Sequence, residues 1–458
     1  MVTDSRQQPD SAGETASADR LDLLPPRALP LVYFAAARLA FIAALLAVAL
    51  EPGPMAASFY HARMLAAVHL VTLGWLTCSI LASLYIVGPL ALRIALPARA
   101  ADYGCCALVL AGLAAACHGF WSNAPAQVGS GGALFLPAAA LLAGRVVGAL
   151  RRSPVQPAVV LHVALAFLNF FAAAALGIAI AFDKVHPFLP GARLANVFAH
   201  GHLAAVGWVG MMALGVGYRL FPMVLPAAMP EGRSLFASAV LLQAGVVSLS
   251  AGLVLQGTTA TAAGALLVAA GFGAFFAHVR RMLRRLKPPP AARPSPDYGA
   301  WQSLASLAFL AAAVIAGLYL AFAPLSDATL RLAAAYGVLG LVGFFGQLVA
   351  GMEYRILPYF AWYWAFANTG FKGPAPNPHD MPLPGVQRAA FVLWAAGVPM
   401  LAAGMLFARA PLVAGGAWLL GVAVVLGGID AAAIASHAFR AALPPKSRHR
   451  RWAGLPLD

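Results

Sequence analysis

The feature of this sequence that most constrains its fold is a series of apolar runs, each long enough to cross a lipid bilayer as a helix. A transmembrane helix needs about 20 apolar residues. Glycine and proline occur within several runs, which membrane helices tolerate. The runs cover approximately 29–50, 64–92, 103–121, 130–150, 156–182, 195–226, 234–255, 258–282, 299–323, 330–360, 387–407 and 411–441. The sequence therefore predicts an all-α integral membrane protein with about twelve transmembrane helices.

Composition and charge agree with a lipid environment. Of the 458 residues, 62% are hydrophobic and only 10% are charged, against about 25% charged residues in soluble domains. The net charge of +15 is divided into short clusters between the apolar runs, which argues against nucleic acid and makes membrane lipid the predicted partner. The four cysteines form no CxxC pattern, so neither covalent haem attachment nor a thiolate zinc site is indicated.

The arginines and lysines predict how the chain is oriented. They concentrate in alternate loops at 93–99, 151–152 and 280–287, and again in the C-terminal tail at 446–451. Basic loops stay in the cytoplasm, so both termini are predicted to be cytoplasmic. We expect a disordered cytoplasmic tail at 1–28, a membrane domain at 29–441 and a basic cytoplasmic tail at 442–458.

The second, sixth and tenth runs share a pattern that predicts an internal repeat. Aligned without gaps from His69, His202 and Val338, they have glycine at +5, an aromatic residue at +6, tyrosine at +16 and proline at +20. The spacings of 133 and 136 residues each correspond to four helices. We therefore predict three pseudo-symmetric four-helix repeats, at about 29–152, 156–287 and 299–441.

Histidines in the predicted outer half of the membrane are the main candidates for chemistry. An ionisable side chain inside a bilayer is costly and usually functional, and neutral imidazole is a common ligand of haem iron, copper and zinc. The candidates are His69, His118, His200 and His202. His200 and His202 point about 160° apart around one helix, so we expect them to serve two neighbouring cavities. The alternative is that membrane histidines form hydrogen bonds between helices, and we favour it for His118 taken alone.

The segment AHGHLAAVGWVGMMALGVGYRLFPMVL, from Ala199 to Leu225, resembles the haem-ligating tenth helix of haem-copper oxidase catalytic subunits. It is most similar to the branch of high-affinity terminal oxidases and nitric oxide reductases, of which this chain would be a divergent member. In that family an HxH is followed by Gly-Trp, a tyrosine and a proline. The first histidine binds a high-spin haem and the second a low-spin haem. The family also has twelve helices in three pseudo-symmetric units.

The chain departs from the family in two places. The HxH lies on the sixth helix, and Val338 stands at the matching position of the tenth. The family's paired histidines after its seventh helix are absent, because Leu253–Ala260 reads LVLQGTTA. If the site has shifted by one repeat, the resemblance assigns His200 to the high-spin haem, His69 and His118 to copper, His61 or Cys117 as third copper ligands, and His202 to the next cavity.

The resemblance thus implies a haem-binding protein of the bacterial inner membrane, with b-type haem and with copper as a second candidate cofactor. A cytochrome or another electron-donor subunit is the expected partner. As an enzyme it would be a haem-copper-type oxidoreductase acting on oxygen or nitric oxide. Two other classes stay open: a cofactor-free transporter or structural membrane subunit, and a factor that handles haem or copper during assembly.

Overall fold

The structure is a computed structural model, and it describes residues 23–288, 296–367 and 377–439. Twelve helices among these residues are long and apolar enough to span a membrane, and no strand is present in the described part. The all-α membrane fold is therefore confirmed. The predicted tail at 442–458 and residues 1–22 of the N-terminal tail lie outside the described residues. The helices are α1 (Ala28–Leu50), α2 (Ala62–Leu90), α3 (Ala100–Trp121), α4 (Pro125–Leu150), α5 (Pro157–Asp183), α6 (Arg193–Val224), α7 (Leu235–Val254), α8 (Thr258–Leu283), α9 (Tyr298–Phe322), α10 (Asp327–Ala367), α11 (Pro384–Leu406) and α12 (Ala410–Ser436).

The helices form a closed ring around three central members. Each helix packs against the next one along the chain, and α12 packs back against α1. The midsections of α2, α6 and α10 contact one another in all three pairings. The three helices that share the sequence pattern therefore meet at the centre, as a threefold arrangement of the repeats requires.

Each central helix contains a stretch of π-helix at the same place in the pattern. The stretches are Leu70–Thr77, Leu203–Gly210 and Val338–Gly346, and all three end at position +8 of the alignment. They include the shared glycine and the aromatic residue after it. Interruptions of this kind are uncommon and cluster at functional sites, so their triple occurrence marks the centre of the bundle.

The glycine at +5 makes the same packing contact in each unit. The preceding helix lies so close to it that an added methyl group would collide with a side-chain Cβ of that helix. The pairs are Gly74 with Ala40, Gly207 with Asn169, and Gly343 with Phe309. Small residues let membrane helices approach to backbone distance, which gives the packing energy that the lipid environment does not supply.

The last two helices of each unit form a hairpin that follows a second glycine pattern, G-x6-G-x11-G, which the sequence analysis missed. The second glycine faces the backbone nitrogen nine residues later, and the third faces the residue fifteen positions earlier. The glycines are Gly112, Gly119 and Gly131 in α3–α4, Gly245, Gly252 and Gly264 in α7–α8, and Gly397, Gly404 and Gly416 in α11–α12. Three hairpins are thus built on one pattern.

Several buried polar residues outside the histidine-bearing centre are paired. His162 bonds the Ala158 carbonyl at 2.7 Å and the Ser238 hydroxyl at 2.9 Å. Asn169 donates to Gln243 at 2.7 Å. Arg38 pairs with Glu353 and Arg145 with Asp102. Because a buried polar group without a partner is costly, these contacts indicate structural roles.

Candidate cofactor site

Three of the predicted histidines line one cavity between α2, α3, α4, α5 and α6, at the side where α2 and α6 begin. We call this space, of ≈ 240 Å³, the histidine cavity, and His61, His69, His200, Tyr60 and Lys184 lie on its walls. The rest of the lining is almost entirely apolar. An apolar cavity with a few convergent polar groups is the usual form of a small-molecule or cofactor site.

His200 is held in place from α5. Its Nδ1 donates to the Ala173 carbonyl at 2.9 Å, so the ring proton sits on Nδ1 and the lone pair of Nε2 is available. One turn further along α5, Gly177 makes room for the ring, because a methyl group there would lie 2.6 Å from its Cε1. Nε2 has no hydrogen-bond partner in the part of the chain that the structure describes. A histidine fixed through one nitrogen with the other one available is the arrangement of a metal ligand.

His69 is also fixed through Nδ1 by a backbone carbonyl, and its ring lies beside that of His200. Its Nδ1 donates to the Leu65 carbonyl at 2.7 Å, and its ring packs on Phe120 at 4.4 Å between centroids. The His69 and His200 rings are 6.2 Å apart between centroids and inclined by 15°. Two imidazoles bound on opposite sides of one metal have centroids roughly 6.4 Å apart, because each metal–nitrogen bond is about 2.0–2.1 Å. The observed separation therefore suits a shared metal centre.

His202 faces a second cavity, as the HxH spacing predicts. This space of ≈ 490 Å³ is lined by residues of α1, α2 and α6–α11, and His200 also lies on its wall. The Nδ1 of His202 donates to the Phe198 carbonyl at 2.7 Å, and its Nε2 is 3.3 Å from the Tyr336 hydroxyl. Gly201 opens onto the same space, with nothing within 4 Å of an added methyl group. His202 thus has a protein partner at Nε2, whereas among the described residues His69 and His200 have none at that atom.

The other predicted copper ligands do not join this group. His118 is exposed, and its Nδ1 bonds the Gln127 side chain at 3.1 Å; neither His118 nor Cys117 lines the histidine cavity. His61 lines it, but near the loop end. Among the described residues no three His, Cys, Asp or Glu side chains are close enough together to hold a metal ion. His69 and His118 therefore do not line one cavity as we expected, because the rotation of α3 about its axis places His118 on the exposed side of that helix.

Sequence reasoning also missed residues that complete the site. Gly177 lies on α5, a helix that carries none of the predicted ligands, and Tyr336 lies two residues before the repeat position at Val338. Gly177 had no distinguishing signal in an apolar run rich in alanine and glycine. Tyr336 did have a signal, because a tyrosine in the first turns of a membrane helix can hydrogen-bond a histidine at similar depth on a neighbouring helix.

Comparison with models of known protein families gives no match, and comparison with curated protein sequences gives none either.

Proposed function

We propose that this membrane protein binds haem in the histidine cavity, with His200 and His69 as the protein ligands of the iron. The observation that carries the proposal is the facing pair of imidazoles. Each has its Nδ1 fixed by a backbone carbonyl and its Nε2 without a partner among the described residues, and both lie in one apolar space. Imidazole nitrogens that face an apolar space inside a membrane protein are costly unless they bind something.

The number of ligands favours haem over a mononuclear copper or zinc ion. Such ions take three or four protein ligands, whereas haem supplies four nitrogens of its own and needs one or two from the protein. The structure brings together two histidines, and no larger metal-binding group forms among the described residues. Copper at His69, His118 and His61 is therefore the weaker proposal.

The space around His200 supports a large flat ligand. The histidine cavity alone, at ≈ 240 Å³, is below the usual range of about 300–1,000 Å³ for small-molecule sites. The second cavity, at ≈ 490 Å³, lies within that range and shares His200 as part of its wall. A ligand at His200 would therefore not be confined to the smaller space.

Haem at this site would supply an iron centre for electron transfer or for binding a diatomic gas such as oxygen or nitric oxide. The chain's own part is to fix both imidazoles, to keep the surroundings apolar and to set the side of the membrane from which the centre is reached. Together with the resemblance to oxidase catalytic subunits, this supports a redox or gas-binding protein of the bacterial inner membrane, supplied with electrons by a cytochrome or another subunit.

The test is an absorption spectrum of the protein purified after expression with ample haem. We expect a Soret band that His200→Ala abolishes or shifts strongly and that His69→Ala shifts. His118→Ala is the matched control, because it removes a histidine at similar depth that lies outside the cavity, and it should leave the spectrum unchanged. Protein without bound haem, or a spectrum indifferent to both cavity substitutions, would contradict the proposal.

A further inference from the structure

The loop end of the histidine cavity carries two buried polar atoms without partners. The Tyr60 hydroxyl and the His61 Nε2 are both inaccessible to solvent, and neither forms a hydrogen bond within the described residues. Both residues line the cavity just before α2 begins. Two neighbouring orphaned atoms at one mouth require an explanation, because most buried polar side-chain atoms are hydrogen-bonded.

Both atoms are hydrogen-bond donors. The Nδ1 of His61 accepts a hydrogen bond from the Met64 backbone nitrogen at 3.5 Å, so the ring proton is on Nε2. Burial raises the pKa of Tyr60, so its hydroxyl keeps its proton. The two groups thus present two N–H or O–H donors to the cavity and lack an acceptor.

A positive charge lies beside them. Lys184 follows α5 directly, lines the cavity, and places its Nζ 5.5 Å from the centre of the Tyr60 ring. Burial and the positive charge of Arg193 lower the pKa of Lys184, which a bound anion would reverse. The acids nearby are already engaged: Asp183 accepts from two backbone amides.

The remaining acid near His61 is Glu51, which forms an ion pair with Arg63 through Oε1, and this pairing lowers the pKa of Glu51. Its Oε2 has no hydrogen-bond partner among the described residues, but Glu51 does not line the cavity. The lining of the mouth therefore combines a half-buried ammonium group with two donors and contains no carboxylate. An anion with two oxygens is the ligand that such a set binds best.

We propose that Tyr60, His61 and Lys184 form a carboxylate-binding site at the mouth of the histidine cavity, and that it takes a carboxylate of the bound haem. The identity of the occupant rests on the proposed function. Haem has a hydrophobic ring and carboxylates on one edge. His61 directly precedes α2 and His69 lies eight residues later, about 12 Å along the helix axis, so the mouth and the proposed iron ligand are separated within one cavity.

The experiment compares two probes, haem b and its dimethyl ester, which differ only in the charge and acceptor strength of the carboxylates. Affinity is measured by Soret titration of the detergent-solubilised, haem-depleted protein, and dissociation by transfer to a haem-scavenging globin. Wild-type protein should bind haem about tenfold more tightly than the ester. Lys184→Met and Tyr60→Phe should weaken haem binding and leave ester binding unchanged, and Lys184→Arg should keep most of the preference.

The outcomes separate the two proposals. If haem and ester bind equally to the wild type, or if Lys184→Met weakens both equally, the donors are satisfied by water and the carboxylate site is wrong, whereas haem binding stands. If neither probe binds, the proposed function fails and the occupant proposed here fails with it. Tyr60→Phe keeps the test valid if the Lys184 variants misfold, because it removes only the hydroxyl oxygen and keeps the ring that packs beneath Lys184.

Discussion

The most direct test of the site's architecture is Gly177→Ala, which changes α5 and leaves every histidine in place. The new methyl group would lie 2.6 Å from the His200 Cε1 and 3.0 Å from its Nδ1. Carbon atoms in contact are about 3.5–4.0 Å apart, so the ring must retreat by roughly 1 Å. Gly177 and Ala173 lie one turn apart on the same helix, so this retreat also moves Nδ1 away from its acceptor.

The expected loss of haem affinity follows from the hydrogen bond between the His200 Nδ1 and the Ala173 carbonyl. It is 2.9 Å long, and lengthening it by roughly 1 Å takes it beyond the upper limit of about 3.2 Å. Loss of the group that orients a metal-bound histidine typically costs about 10–100-fold in metal affinity. We therefore expect Gly177→Ala to weaken haem binding by about that factor and to shift or broaden the Soret band.

The assay is a Soret titration of the wild type and the variant under identical conditions, with thermal unfolding measured in parallel. Gly144→Ala is the control, because nothing lies within 4 Å of a methyl group at that position in α4. It should leave haem affinity unchanged, and it should raise the unfolding temperature only slightly, because alanine is favoured over glycine in a helix. Unchanged affinity and spectrum in Gly177→Ala would refute the placement of His200 against α5.

Two further predictions concern the fold. Gly264→Ala should lower the unfolding temperature of the protein, because its methyl group would lie 2.6 Å from the Cα of a facing residue and overpacking costs about 1–3 kcal/mol. Gly273→Ala in the same helix is the control, because its methyl group meets nothing within 4 Å and the change should be neutral or stabilising. Equal effects of the two substitutions would contradict the close packing of that hairpin. Reporter fusions after Arg152 and Arg285 should report a cytoplasmic location, because the basic clusters alternate along the chain, and a periplasmic signal at either would break the predicted orientation.

The helices were predictable because a bilayer offers no water to hydrogen-bond the backbone, so an apolar run that crosses it as a single segment must be helical. Even the narrow division at Gly257 is present, with α7 ending at Val254 and α8 beginning at Thr258. The repeat was predicted from the central helices alone. The glycine pattern of the hairpins escaped notice because glycine is frequent in membrane helices, and only the measured backbone approach separates the packed positions from the open ones.

The candidate site was predicted in part. The spacing predicts that His200 and His202 serve neighbouring cavities, and His202 lines only the second cavity whereas His200 lines both. His69 lies at the depth expected for it. His118 also has a suitable depth, but the neighbouring Gly119 is the residue that faces α4, and adjacent residues differ by about 100° around a helix. Depth can be inferred from hydropathy. Direction around the axis depends on how each helix is rotated in the bundle, which the apolar pattern of a membrane helix barely encodes.

The π-helical stretches in α2, α6 and α10 have a consequence for how such a chain tolerates change in length. In α2 and α6 the stretch separates the end that carries the histidine from the end that carries the shared tyrosine, and in α10 it begins at Val338 itself. A wide turn holds one residue more than an α-helical turn, so removing one residue from a stretch would restore a regular helix and leave the two ends in nearly the same relative orientation. The wide turns therefore let the central helices carry an extra residue at the centre of the bundle without redirecting their ends. A single-residue deletion there should leave the imidazoles of His69 and His202 directed as before, whereas the same deletion in a regular part of the helix would rotate them by about 100°.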